Sequence, residues 1–113
     1  MNRARSNTIN KASNIQNLLD IMARLRDPAT GCPWDREQTA RTIVPHTVEE
    51  AYEVADAAIA GDPAKLLDEL GDLLFQTYFL ALLLEEQGHG DLEAVARAVH
   101  AKLVRRHPHV FGD

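Results

Sequence analysis

The chain has 113 residues, the size of one ordinary domain, with 45% hydrophobic and 26% charged residues, a balance typical of globular proteins. Its net charge of −5 argues against a nucleic-acid polymer as partner, and its single cysteine, Cys32, excludes an internal disulfide framework and a cysteine zinc cluster. No apolar run reaches the ~18 residues that a membrane span needs, and the basic, polar opening MNRARSNTINKAS has no apolar segment behind it. The expectation is therefore a cytoplasmic protein with no membrane partner. Aromatics make up only 5% of a chain rich in alanine and leucine, which favours helices.

Residues 1–12 read as a flexible tail and 13–113 as a single domain. Ser13 and Gln16 match a capping box, in which each side chain satisfies a backbone N–H of the other. Ile15, Leu18, Leu19, Met22 and Leu25 follow at helical spacing. DPATGCPWDREQT reads as a loop broken by Pro28, Gly31 and Pro33, with Asp35 placed to cap a short turn after it. Thr47 and Glu50, just after Pro45, match a second capping box and predict a helix from about 48 to 60, stopped by Gly61. Asp62 followed by Pro63 opens the next helix, which runs to about 87 and ends at Gly-His-Gly. Asp91 caps a last helix reaching about His107, closed by Pro108. Helices with short links and no strand-like alternation predict an all-α, four-helix bundle protomer.

Two of these helices carry acids where a core is expected. Glu50 and Glu53 are three residues apart on one predicted helix, with Glu49 four before Glu53, and Glu69 and Asp72 repeat the spacing on the next. The expected core stripe of the 63–87 helix is Leu66, Leu70, Leu73, Leu74 and Thr77, with the acids beside it. One such pair is what any solvated helix face carries. Two pairs on helices packed antiparallel bring four carboxylates together, and their repulsion must be relieved by protons or cations. Oxygen-only ligands suit a hard cation, Mg2+ or Mn2+. A di-iron centre would require Glu-x-x-His, and neither Glu53 nor Asp72 is a histidine. The same 63–87 helix is apolar nearly all round, which predicts burial on most sides and a homo-oligomer, dimer or tetramer, with residues 73–84 at the interface.

The four segments GCPWDREQT, TVEEAYEV, DELGDLLFQ and KLVRRHPHVFGD, in this order, resemble the MazG-type nucleoside triphosphate pyrophosphohydrolases of the all-α NTP pyrophosphatase superfamily. The resemblance covers about residues 15–113. It implies a helical bundle that assembles as a dimer or higher oligomer and uses Mg2+ to hydrolyse a (deoxy)nucleoside triphosphate to the monophosphate and pyrophosphate, as in nucleotide-pool housecleaning. Carried over by position, the metal ligands are Glu50, Glu53, Glu69 and Asp72, with Glu49 filling the first place of the EExxE signature. The proton acceptor for the attacking water is then Glu49, Glu50 or Glu53. Lys65, four before the third ligand, and Lys102, Arg105 and Arg106 are the cations expected at the phosphates, although basic residues also suit a helix C-terminus. Trp34 matches the aromatic that stacks on the base in related dNTP pyrophosphatases, or else plugs the end of the bundle. His107 and His109 are assigned to the terminal loop, and Cys32 to packing rather than nucleophilic chemistry. Familiar bacterial members carry two such domains in tandem. The competing reading is thus a catalytically weak or silent module that binds nucleotide and dimerises. A third reading is a different substrate within the superfamily, such as dUTP, phosphoribosyl-ATP or an alarmone.

Overall fold

A computed structural model of the chain describes residues 13–112, which contain six helices: α1 (Asn14–Leu25), α2 (Pro33–Glu37), α3 (Ala40–Ala60), α4 (Pro63–Glu86), α5 (Leu92–Arg106) and α6 (Pro108–Phe111). The expected tail, residues 1–12, lies outside the described residues. The fold is all-α, as expected. The chain divides into two units, Met1–Thr42 and Ile43–Asp113.

In the first unit, Ser13 caps α1, its hydroxyl oxygen accepting from the N–H of Gln16 at 3.0 Å, but the Gln16 side chain donates to Oδ1 of Asp20 at 3.0 Å rather than closing the predicted box. Met22 is buried and Leu18, Leu19 and Leu25 are half-buried, so the predicted apolar face turns inward except at Ile15, which is 59% exposed. The segment after α1 is a tight knot. Oδ1 of Asp27 accepts from the N–H groups of Ala29 and Thr30 at 2.8 and 2.9 Å, and these bonds hold its carboxyl below the ordinary value. Gly31 N–H donates to the carbonyl of Asp27, and Cys32 N–H to that of Leu25. Asp35 does not cap the short turn; the helical turn starts at Pro33, and Asp35 is buried inside it. Pro33 explains this, because its fixed φ is already helical and its missing N–H has no partner to lose at a helix start. The C-terminal carbonyls of α2 are held instead by Arg26, whose Nη1 donates to the carbonyl oxygens of Asp35, Arg36 and Gln38 at 2.7, 3.2 and 3.0 Å.

Thr47 is likewise not a cap. The helix begins at Ala40, and Thr39 and Thr42 form the reciprocal pair at its start. Oγ1 of Thr42 accepts from Thr39 N–H at 2.9 Å, and Oγ1 of Thr39 from Thr42 N–H at 3.3 Å. Pro45 then lies inside the helix, where it costs the bond to the carbonyl of residue 41. The hydroxyl of Thr47 lies 3.3 Å from both the carbonyl oxygen of Ile43 and Oε1 of Gln76.

In the second unit, the contacts between Thr47 and Gln76 and between Glu50 and Glu69 set α3 and α4 antiparallel: as one number rises the other falls. Along α3 the inward positions are 43, 47, 50, 54 and 57, with Glu53 half-buried beside them, and along α4 they are 69, 76, 79 and 83, with Asp72 on the exposed edge of the same face. Ile43 is fully buried and Phe79 nearly so, each contributing about 2–3 kcal/mol by leaving water. Phe79 meets Phe75 edge to face at 5.8 Å. Asp62 caps α4 through Lys65 N–H at 3.1 Å, and Asp91 caps α5 through Ala94 N–H at 2.9 Å, both as predicted. The expected α4 core stripe is displaced. Leu66 and Leu73 are half-buried, but Leu70 and Leu74 are 47% and 40% exposed and Thr77 is exposed, whereas Glu69 and Gln76 are buried. Of the α4 acids, Glu69 therefore opens the buried seam, while Asp72 flanks it on the exposed side as expected. Tyr78, Phe79, Ala81 and Leu83 are buried within the chain itself, and the apolar surface left open on α4 is at Leu67, Leu70, Leu74 and Leu84. Pro108 does not simply close α5; it opens the short α6, which contains His109, while the His107 ring caps the carbonyl oxygen of Leu103 at 2.6 Å.

Candidate functional site

The seam between α3 and α4 is apolar at one end and acidic at the other. One carboxylate oxygen from each of Glu50, Glu69 and Asp72 comes within 4.8 Å of the other two. Glu69 is buried, Glu50 half-buried and Asp72 exposed, so the cluster is open to solvent from the side of Asp72. The heptad-like spacing causes this: position 50 follows 43 and 47 into the seam, and 69 and 72 precede 76, 79 and 83.

Glu50 bears the cost of this placement. Its Oε2 is buried and accepts no hydrogen bond. Burial, then the negative charges of Asp72 and Glu69, hold its carboxyl above the ordinary value. An unsatisfied buried oxygen beside two further carboxylates is a ready ligand for a cation. With no nitrogen or sulfur donor in the group, a hard divalent ion that takes oxygen fits it best.

Glu53 stands outside the three-carboxylate group, although its charge is felt by both Glu50 and Lys65. Glu49 is exposed and is not a member of the group either. Lys65 is at the cluster: its Nζ lies 3.0 Å from Oε2 of Glu69, one helical turn on, and that hydrogen bond holds the ammonium above its ordinary value. Lys102, Arg105 and Arg106 are exposed on the last turns of α5, the helix that packs against α4. In the first unit, Trp34 is 49% exposed on α2, and its carbonyl accepts from Nε2 of Gln38 at 2.9 Å. Cys32 is a half-buried free thiol in the wall of a groove of about 540 Å³, together with Ile21, Arg24 and Leu25. The sequence reading missed the polar pair Thr47 and Gln76, which extends the seam by one turn beyond the acids. The signal lies in the 43-47-50 spacing, which the cap-like Thr47-x-x-Glu50 pattern obscures.

Residues 38–111 match the model of the MazG nucleotide pyrophosphohydrolase domain. Over 99 residues the chain is 56% identical to the nucleoside triphosphate pyrophosphohydrolase of Escherichia coli K12, covering 88% of this chain and 38% of that protein. It is 44% identical over 98 residues to the nucleoside triphosphate pyrophosphohydrolase/pyrophosphatase MazG of Thermotoga maritima, covering 87% and 38%. Against the nucleoside triphosphate pyrophosphohydrolase of Mycobacterium tuberculosis the identity is 36%, over 85% of this chain and 30% of that protein. The chain thus spans well under half the length of these relatives.

Proposed function

Because this chain belongs to the MazG nucleotide pyrophosphohydrolase domain family, we propose that it hydrolyses (deoxy)nucleoside triphosphates to the monophosphate and pyrophosphate with a divalent cation, Mg2+ or Mn2+. The observation that carries this reading is the cluster of Glu50, Glu69 and Asp72 with its buried, unsatisfied oxygen. Residues 13–113 act as one such domain. Glu50, Glu69 and Asp72 hold the cation and Glu53, one turn from Glu50, completes the set. Bound there, the ion neutralises phosphate charge and acidifies a water molecule. A triphosphate carries about four negative charges, which an acid cluster alone repels, so the remaining charge falls to Lys65, Lys102, Arg105 and Arg106. Glu49, Glu50 or Glu53 takes the proton of the attacking water, and Glu49, exposed and outside the clustered group, is free to do so without leaving the cation. Trp34 offers an exposed ring for stacking on a base. Nucleotide-pool housecleaning in the cytoplasm is the role that fits this activity; no helix of the described residues is long and apolar enough to cross a membrane.

Incubation of the chain with Mg2+ and a panel of ribo- and deoxynucleoside triphosphates should release pyrophosphate, and excess EDTA should abolish the release. Undiminished turnover in EDTA would remove the cation from the mechanism.

The proposal includes a homo-oligomer with a bundle core shared between protomers. Its support is the apolar surface left on three helices: Tyr52 and Ile59 of α3 are 69% and 85% exposed and Leu67 of α4 is 76% exposed, with Leu70, Val99 and Leu103 about half exposed. Sedimentation at micromolar concentration should give a dimer or tetramer, and Leu67→Glu should shift it to a smaller species. A stable monomer would overturn this part of the proposal.

A further inference from the structure

Lys65 and Glu69 form an unequal pair. The lysine side chain is 52% exposed and the glutamate side chain 9%, so a solvent-facing cation rests on a buried anion. That anion belongs to the three-carboxylate cluster. The Lys65 ammonium is therefore in the position of an internal counter-ion, relieving part of the repulsion that Glu50, Glu69 and Asp72 exert on one another. A divalent ion coordinated by Glu69 and the ammonium of Lys65 are rival cations for one carboxylate. A lysine is a hydrated point charge on a flexible four-carbon stem, and from the exposed side of α4 it can swing away.

We infer that Lys65 is an exchangeable counter-ion: it holds Glu69 in the cation-free chain, releases it to the divalent ion, and carries its freed ammonium to the incoming phosphates. This rests on the metal-dependent hydrolysis proposed above. The exchange makes ion and nucleotide bind cooperatively. The ion alone must displace Lys65 and leave it unpaired, whereas with a triphosphate present the displaced ammonium gains a new anionic partner.

The test is Mn2+ binding to the full chain without nucleotide, followed by the spin signal of free Mn2+, for the parent, Lys65→Met and Lys65→Arg. Methionine is a good helix former at this exposed position, and circular dichroism checks that the helices persist. With the internal rival removed, Lys65→Met should bind Mn2+ about three- to tenfold more tightly, the scale of one ion pair of this kind. Lys65→Arg, which keeps the charge, should stay close to the parent. At saturating Mg2+, Lys65→Met should raise KM for the nucleotide more than it lowers kcat. Equal or weaker Mn2+ binding by Lys65→Met overturns the inference and leaves Lys65 as a prop for Glu69. A parent chain that binds Mn2+ and turns over nucleotide keeps the proposed function in that case, whereas a parent that binds no Mn2+ overturns both.

Discussion

Glu69→Gln and Asp72→Asn should each lower pyrophosphate release by at least about a hundredfold while leaving the helical content unchanged. Each exchange keeps the side chain's shape but removes one of three carboxylates that converge within 4.8 Å. The loss should appear in Mn2+ affinity as well as in turnover. Glu53→Gln, whose carboxylate lies outside that group, should weaken Mn2+ binding less than Glu69→Gln does.

Glu50→Gln separates catalysis from stability. Burial and the charges of Asp72 and Glu69 hold the Glu50 carboxyl above its ordinary 4.5, so the folded chain binds this proton more tightly than the unfolded chain. The stability linked to that proton is complete below the unfolded value and is lost as pH rises through the raised folded value. In EDTA near neutral pH, Glu50→Gln should therefore melt at the same temperature as the parent or higher, and the difference should shrink as pH falls below the ordinary value. A clear loss of cation-free stability would mean that the Glu50 carboxylate is paired in a structural role.

Gly31→Ala should be the most damaging small substitution in the chain. A Cβ at Gly31 would sit 2.2 Å from the carbonyl oxygen of Leu25 and 2.7 and 2.8 Å from the backbone oxygen and nitrogen of Asp27. All three are main-chain atoms, and the Leu25 carbonyl is already the acceptor for Cys32 N–H at 2.8 Å. No rotamer change relieves such contacts, so the turn from Asp27 to Cys32 must open. A cost of roughly 3 kcal/mol, at the upper end for overpacking, corresponds to a melting point lower by about 10 °C or more. Gly71→Ala is the matched control: Gly71 lies in mid-helix with nothing within 4 Å of its Cβ position, and alanine there should add about 0.5–1 kcal/mol. Thermal melts of the two variants check the pair, and a Gly31→Ala protein melting within a degree or two of the parent would contradict the close approach.

The helix class, three of the caps and the acids themselves were set by local sequence. Ser13, Asp62 and Asp91 bind the backbone N–H three residues on, an interaction complete within one turn and independent of the rest of the fold. The spacing of Glu50, Glu69 and Asp72 placed them on helices for the same reason. At the start of α3 the local signal misled. Thr47 with Glu50, just after Pro45, reads as a cap, whereas the helix starts earlier, at the reciprocal pair of Thr39 and Thr42. A proline in the first turns loses only one backbone bond, and the longer helix is kept because Ile43 and Thr47 then enter the seam, Ile43 fully buried and Thr47 beside Gln76.

Only the tertiary structure decided which face of α4 turns inward. Leucines at 66, 70, 73 and 74 outvote two acids on hydrophobicity, yet the buried face runs through Glu69, Gln76, Phe79 and Leu83. A helix apolar nearly all round has no preferred face of its own, so the choice falls to its partner α3. That helix offers an inward stripe at 43, 47, 50, 54 and 57, with Glu53 half-buried beside it, and this stripe contains Glu50. Packing α4 against it brings Glu69 and Asp72 to Glu50, leaves Leu67, Leu70 and Leu74 outside, and sets Lys65 on the buried carboxylate one turn away. Sequence names the acids; the antiparallel register of two helices makes them a cluster, because an interaction between residues 50 and 69 is invisible until the chain has turned at Gly61.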